Sequence, residues 1–220
     1  MGYIGAALLF RRGSATLSDM SDFPTDPKKL RARIRSYERK LRQEKQEYGG
    51  VYDDSYGKRY LLCPLYLMAG DLKGCLESLA WFEREFPDDG GEHGQCLCWA
   101  LALYRAGKTT EAERKLRQAM LMNVHMLPRL LGRKVVPLKI RKDGFDLHLM
   151  DLHYMPPEYF ALWTEAEKVW AEKLFDGQKF QATLKRYLEI EEQLEHVEPS
   201  PERTALVNEQ SMLAYGKCWL

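Results

Sequence analysis

Asp146, His148, Asp151 and His153 fall within eight residues, the densest grouping of carboxylate and imidazole in the chain. Neutral imidazole and carboxylate together could hold a metal ion or move a proton. In an extended chain Asp146 and His148 would share one face, with Asp151 and His153 on the other. A plainer alternative is solvated polar residues alternating with Leu147, Leu149 and Leu152. Cys96-x-Cys98 with His93 nearby invites a zinc reading. On a helix, however, residues two apart point in different directions, structural zinc sites use more widely spaced cysteine pairs, and no second such pair exists here. No glycine-rich phosphate loop, dinucleotide fingerprint or nucleophile elbow occurs in the sequence. These patterns assign no catalytic residue, no metal and no cofactor, and the chain reads as non-enzymatic.

Charge offers a second kind of chemistry. The net charge of +1 gives no global field to attract nucleic acid or membrane, but residues 28–45 hold nine Lys/Arg against two Glu. Arg31, Arg35, Arg39 and Arg42 in this stretch could neutralise phosphates, making binding steeply salt-dependent. The same charges could instead be a solvated helix face or meet an acidic protein. They could also meet the acidic stretch 158–202, within the chain or across a homodimer; it holds eleven Asp/Glu against five Lys/Arg.

The elements that would position these groups are helices. Asp26-Pro27 reads as a helix start, with Asp as cap and Pro in the first turn. Leu30, Ile34, Tyr37, Leu41 and Tyr48 then make a narrow apolar seam that stops at Gly49-Gly50. Further helices are expected over about 55–69, 72–86, 92–106 and 109–123, the last capped by Thr109 or Thr110; Pro64 implies a kink or a late start in the first of these. Residues 124–157 break the pattern with Pro128, Gly132, Pro137, Gly144, Pro156 and Pro157. Apolar alternation on both sides of Asp143-Gly144 could form a hairpin, although an irregular loop laid over the helices is the preferred reading. Helices resume over about 158–175 and 178–196, with a final one after Pro201 running to about Tyr215. The expected fold is all-α, a single domain over 26–220 with about seven helices and an irregular insertion.

Two of these hairpins repeat one pattern. Leu62-Cys63-x-x-Tyr66 leads to Gly70, Cys75, Leu79, Phe82 and Pro87; Trp99-Ala100-x-x-Leu103 leads to Gly107, Ala112, Leu116 and Ala119. Cys63 and Ala100 are 37 residues apart, as are Cys75 and Ala112. A fixed period in this range marks stacked repeats, in which small residues let two helices approach and large ones fill the space between hairpins. The spacing resembles the tetratricopeptide repeat (TPR), well over about 55–123 and more weakly over 158–196, where Ala171, Leu174, Thr183, Tyr187 and Ile190 suggest a degenerate third copy. Segments such as Trp81-Phe-Glu-Arg-Glu-Phe-Pro-Asp-Asp are also similar to a bacterial group of TPR-like proteins. The resemblance implies a non-catalytic scaffold or adaptor that holds a peptide or helix of another protein on a concave face. It places Arg59, Tyr60, Tyr66, Gln95, Trp99 and Arg105 on that face. A nucleic-acid-associated protein using the 28–45 helix is the alternative.

Residues 1–25 read as a flexible tail. The apolar run ending at Phe10 is about half the length of a membrane span and lacks a preceding basic region, so no membrane association is expected, and Met20 is the more natural start. Five cysteines, an odd number, with no secretory signal point to a cytoplasmic protein with free thiols.

Overall fold

The computed structural model describes residues 23–54, 56–141 and 143–216. The expectations for residues 1–22, including Met20, lie outside the described residues, as does Cys218. Among the described residues the chain is helical throughout, with no strand and eleven helices rather than about seven. None is long and apolar enough to cross a membrane.

Helix α1 (Pro27–Glu47) begins as its sequence requires: the Asp26 carboxylate accepts from the Lys28 and Lys29 amides, and Pro27 occupies the first turn. Its buried residues are Leu30, Ile34 and Leu41, which seat it against α2 (Lys58–Met68). Each such side chain contributes about 1.5–3 kcal/mol by leaving water. Helix α2 starts late, at Lys58, and runs through Pro64. The Asp54 carboxylate serves its first turn from outside, accepting the Lys58 and Arg59 amides at 2.8 Å each. Helix α3 (Leu72–Glu85) returns along α2; α4 (His93–Arg105) and α5 (Thr109–Met122) form the second hairpin. Neither Thr109 nor Thr110 caps α5: both lie within its first turn, and Lys108 occupies the cap position without a side-chain bond.

At the small repeat positions the helices do approach closely. Cys63, Cys75, Ala100 and Ala112 are all at most 1% exposed, and the Cys63 and Cys75 sulfurs are 3.3 Å apart. Burial holds the Cys63 and Cys98 thiols well above their ordinary pKa and pushes Cys96 up to about 12, so these are inert packing groups rather than nucleophiles.

The 124–157 segment forms no hairpin. It contains α6 (Met126–Leu130) and α7 (Leu147–His153), joined by irregular chain. The helix expected over 158–175 is two, α8 (Pro157–Ala161) and α9 (Glu165–Phe175), because Thr164 and Glu167 form a capping box that starts a new helix. Helix α10 (Gln178–Leu194) packs chiefly on α11 (Pro201–Tyr215) rather than on α9, and both lie against α5. Contacts therefore order the stack as α1, α2, α4, α5, then α10 with α11, while α8 lies on α4 and α6 bridges α5 and α9. Two glycines permit close approaches. A Cβ at Gly94 would meet the Tyr159 ring at 2.8 Å, and one at Gly90 would meet the Tyr215 ring at 2.5 Å.

Cys75 and Ala112 occupy equivalent, fully buried positions, so Cys75→Leu or Ala112→Leu must overpack its hairpin. Each substitution is expected to cost about 1–3 kcal/mol, measured as a lower midpoint in chemical denaturation; unchanged midpoints for both would refute the equivalence.

Candidate functional site

The two faces of α1 differ in chemistry. Each of the two glutamates within 28–45 has an inward partner: Tyr66 donates its hydroxyl to Glu38 at 2.5 Å, and Lys58 donates to Glu44 at 2.6 Å. Lys45 is held by Glu85, which also accepts from the Tyr52 hydroxyl at 3.1 Å. The Arg33 guanidinium lies 6.0 Å from the Phe23 ring centroid. Of the three carboxylates on α1, only Glu47, its last residue, is exposed. Lys28, Arg31, Arg35, Arg39 and Arg42 follow one another at offsets of three, four, four and three, which puts them in one line on a helix. At 100° per residue this line is centred about 120° from the Leu30–Ile34–Leu41 seam, on an exposed flank of the helix. All five are exposed, and none has an ion-pair partner among the described residues. The line is about 21 Å long at 1.5 Å per residue. It starts in the first turn, where there is no acidic residue and the helix dipole adds positive potential.

The six residues expected on a concave face have internal partners instead. Gln95 and Trp99 are 1% and 4% exposed, so neither can line an open groove. Gln95 completes a capping box with Glu92, and Trp99 packs edge-on to Phe82 with the Lys115 ammonium 3.4 Å above its ring. Arg59 bonds to Asp89 at 3.0 Å and lies over the rings of Tyr60 and Phe86. Tyr60 donates its hydroxyl to Asp89 at 2.7 Å, and Tyr66 donates to Glu38. Arg105 makes a forked pair with Glu167 at 2.7 and 3.0 Å and also donates to the Leu162 carbonyl. Residues 159–167 thus cover the face of α4 that a ligand was expected to meet. An open cleft of about 930 Å³ does lie beside Tyr60, between the 86–91 loop and Tyr215. Its Asp89 carboxylate is fully occupied by Arg59, Tyr60 and the Gly91 amide.

The aspartate–histidine cluster disperses. Asp146 caps α7 by accepting the Leu149 amide at 3.0 Å. Its other oxygen takes the Leu138 amide at 2.7 Å and the His125 ring at 2.6 Å, with both side chains of that pair at most 5% exposed. Burial disfavours the Asp146 carboxylate, yet the Leu138 amide and His125 outweigh it and hold its pKa below the usual carboxylate value. Asn123 donates to the His148 carbonyl. Asp151 and His153 are exposed on α7, and no group of three His, Cys, Asp or Glu residues among the described residues could hold a metal ion. The extended-chain alignment of Asp146 with His148 does not arise, because 147–153 is helical. His125 went unnoticed: it lies 21 residues from Asp146, and no spacing rule links them.

Asp146→Ala removes the acceptor of the Leu138 and Leu149 amides and of the His125 ring, so it should lower stability by about 1–3 kcal/mol in denaturant titration. Acid should loosen the same segment. Burial depresses the His148 pKa below the ordinary 6.5. The unfolded chain therefore takes up a proton that the folded one resists, and stability falls as pH drops below that value. Asp146, also depressed, acts in the same direction at still lower pH. His93 opposes them: Glu92 overcomes the burial that would lower it and raises its pKa, so its contribution is present below 6.5 and lost as pH rises. Hydrogen exchange of the α7 amides, corrected for intrinsic rate, should accelerate between about pH 7.5 and 5.5, and His148→Gln should abolish that acceleration. No protein-family model, curated protein or solved structure matches this chain.

Proposed function

We propose that this chain is a non-catalytic, TPR-like scaffold that binds an acidic, helical segment of another protein along the outer face of α1. The observation that carries the reading is the line Lys28, Arg31, Arg35, Arg39, Arg42: exposed, unpaired among the described residues and turned away from the packing seam. Folding does not call for it. Cations in the first turn oppose the helix dipole, and like charges at offsets of four repel; each effect costs a few tenths of a kcal/mol or more. The offsets of three and four are those of a helix face, so a partner helix with Glu or Asp at the same offsets can meet the cations one for one. The repeated hairpins supply the rigid base, and the internal partners of Gln95, Trp99 and Arg105 direct attention away from a concave groove.

Nucleic acid is the second reading, favoured by the same five cations. The rest of the chain argues against it: outside 28–45 the chain is net acidic, and a long polyanion would also overlie that surface.

A helical peptide with Glu at matching offsets is the probe. We expect it to bind at low salt and to lose affinity about tenfold or more in Arg31→Glu/Arg35→Glu/Arg42→Glu, with circular dichroism unchanged. Duplex and single-stranded oligonucleotides should bind no tighter than about micromolar near physiological salt. Fluorescence anisotropy over a salt series measures both. Nanomolar oligonucleotide binding removed by the triple reversal would promote the nucleic-acid reading, and indifference of the peptide to the reversal would overturn the proposed surface.

A further inference from the structure

Resting on the reading of α1 as a docking face for acidic side chains, we infer that a second copy of the chain can supply them in place of another protein's helix: the turn joining α10 to α11, non-helical between Leu194 and Pro201, docks on α1 of the next molecule, head to tail. Glu189, Glu192, Glu195, Glu198 and Glu202 fall within fourteen residues spanning the end of α10 and the first turn of α11. Glu192, Glu198 and Glu202 are exposed and have no ion-pair partner among the described residues. The nearby cations leave these three alone: Lys185 and Arg186 reach Glu189, and Arg141 acts on Glu191 and Glu195. Arg203 turns its guanidinium onto the Leu194 and Val197 carbonyls, and Arg186 is also paired with Glu209.

The stack places these two surfaces on different helices. Helix α1 lies on α2, α2 on α4, α4 on α5, and α10 with α11 on α5. One molecule therefore presents a basic face on α1 and an acidic turn between α10 and α11, on helices that pack chiefly on other neighbours rather than on each other. Two different, complementary faces make a heterologous contact, which adds molecules in a row instead of closing on a two-fold axis. A handful of exposed ion pairs supports only weak association, on the order of 100 µM, and salt screens it.

Sedimentation velocity on the intact chain tests this, in reducing buffer over about 10–500 µM protein and at about 50 and 500 mM salt. Species growing beyond the dimer with concentration are expected at low salt, and monomer at high salt. Arg31→Gln/Arg35→Gln/Arg42→Gln should be monomeric, as should Glu192→Gln/Glu198→Gln/Glu202→Gln. An equimolar mixture of the two retains one intact face on each partner, so it should recover a one-to-one dimer that does not grow further. Monomeric wild type throughout would overturn the inference, as would assembly that either variant leaves unchanged. If wild type stays monomeric yet binds the acidic peptide through α1, the self-docking inference fails and the reading of α1 survives. If the peptide does not bind either, both fail.

Discussion

Residues Gly94 to Leu103 are buried without interruption, so α4 needs a partner on every side. A helix that is apolar all round cannot lie at a surface. Its run Cys96-Leu-Cys-Trp-Ala-Leu-Ala-Leu103 is enclosed by α2, α3, α5 and α8. From this burial follow the glycine at 94, which admits the Tyr159 ring, and the fork from Arg105 to Glu167 that ties α9 to the end of α4. The stack is consequently filled at its centre.

Helix α1 shows how a narrow seam divides a helix by charge. Three buried apolar residues fix its rotation, and that rotation decides which charged side chains meet the core. Glu38 and Glu44, each about 60° from the seam, receive Tyr66 and Lys58, while Arg31, Arg35, Arg39 and Arg42 line an exposed flank centred about 120° from it. The local charge imbalance visible in the sequence is thereby sharpened in space into an exposed basic line along α1. The neutrality of the whole molecule hides it.

What could be read from the sequence follows the range of the interaction. The start of α1 was legible because Asp26 and Pro27 act within one turn, and the two hairpins because small residues recur at a fixed interval. The break before α9 was also legible, since Thr164-x-x-Glu167 is a local capping signature, but the apolar period running through it concealed the boundary. The cap of α5 misled: Thr109 and Thr110 are good capping types, yet they open the helix and the cap position falls one residue earlier, at Lys108. Lys28 belongs to the α1 line with the four arginines, and counting in steps of three and four reveals it. Contacts such as Asp146 with His125 and Arg105 with Glu167 were beyond reach, because they join segments whose relative placement depends on the whole fold. The irregular 124–157 segment has no periodicity to carry such information, and its α7 depends on the Asp146 cap.

The Tyr215 ring over Gly90 joins positions 125 residues apart in the chain. On a ribosome, the first two hairpins can emerge and pair through local contacts long before the last helix is made. Until α11 arrives, the face of α5 that it covers is open to water and to other chains. Entropy adds little to this delay, since closing so long a loop costs only about 0.6 kcal/mol more for each doubling in length. The vulnerability is one of time: the final turns of synthesis bring the element that shields α5, so a chain stopped short of α11 exposes apolar surface that the finished molecule conceals.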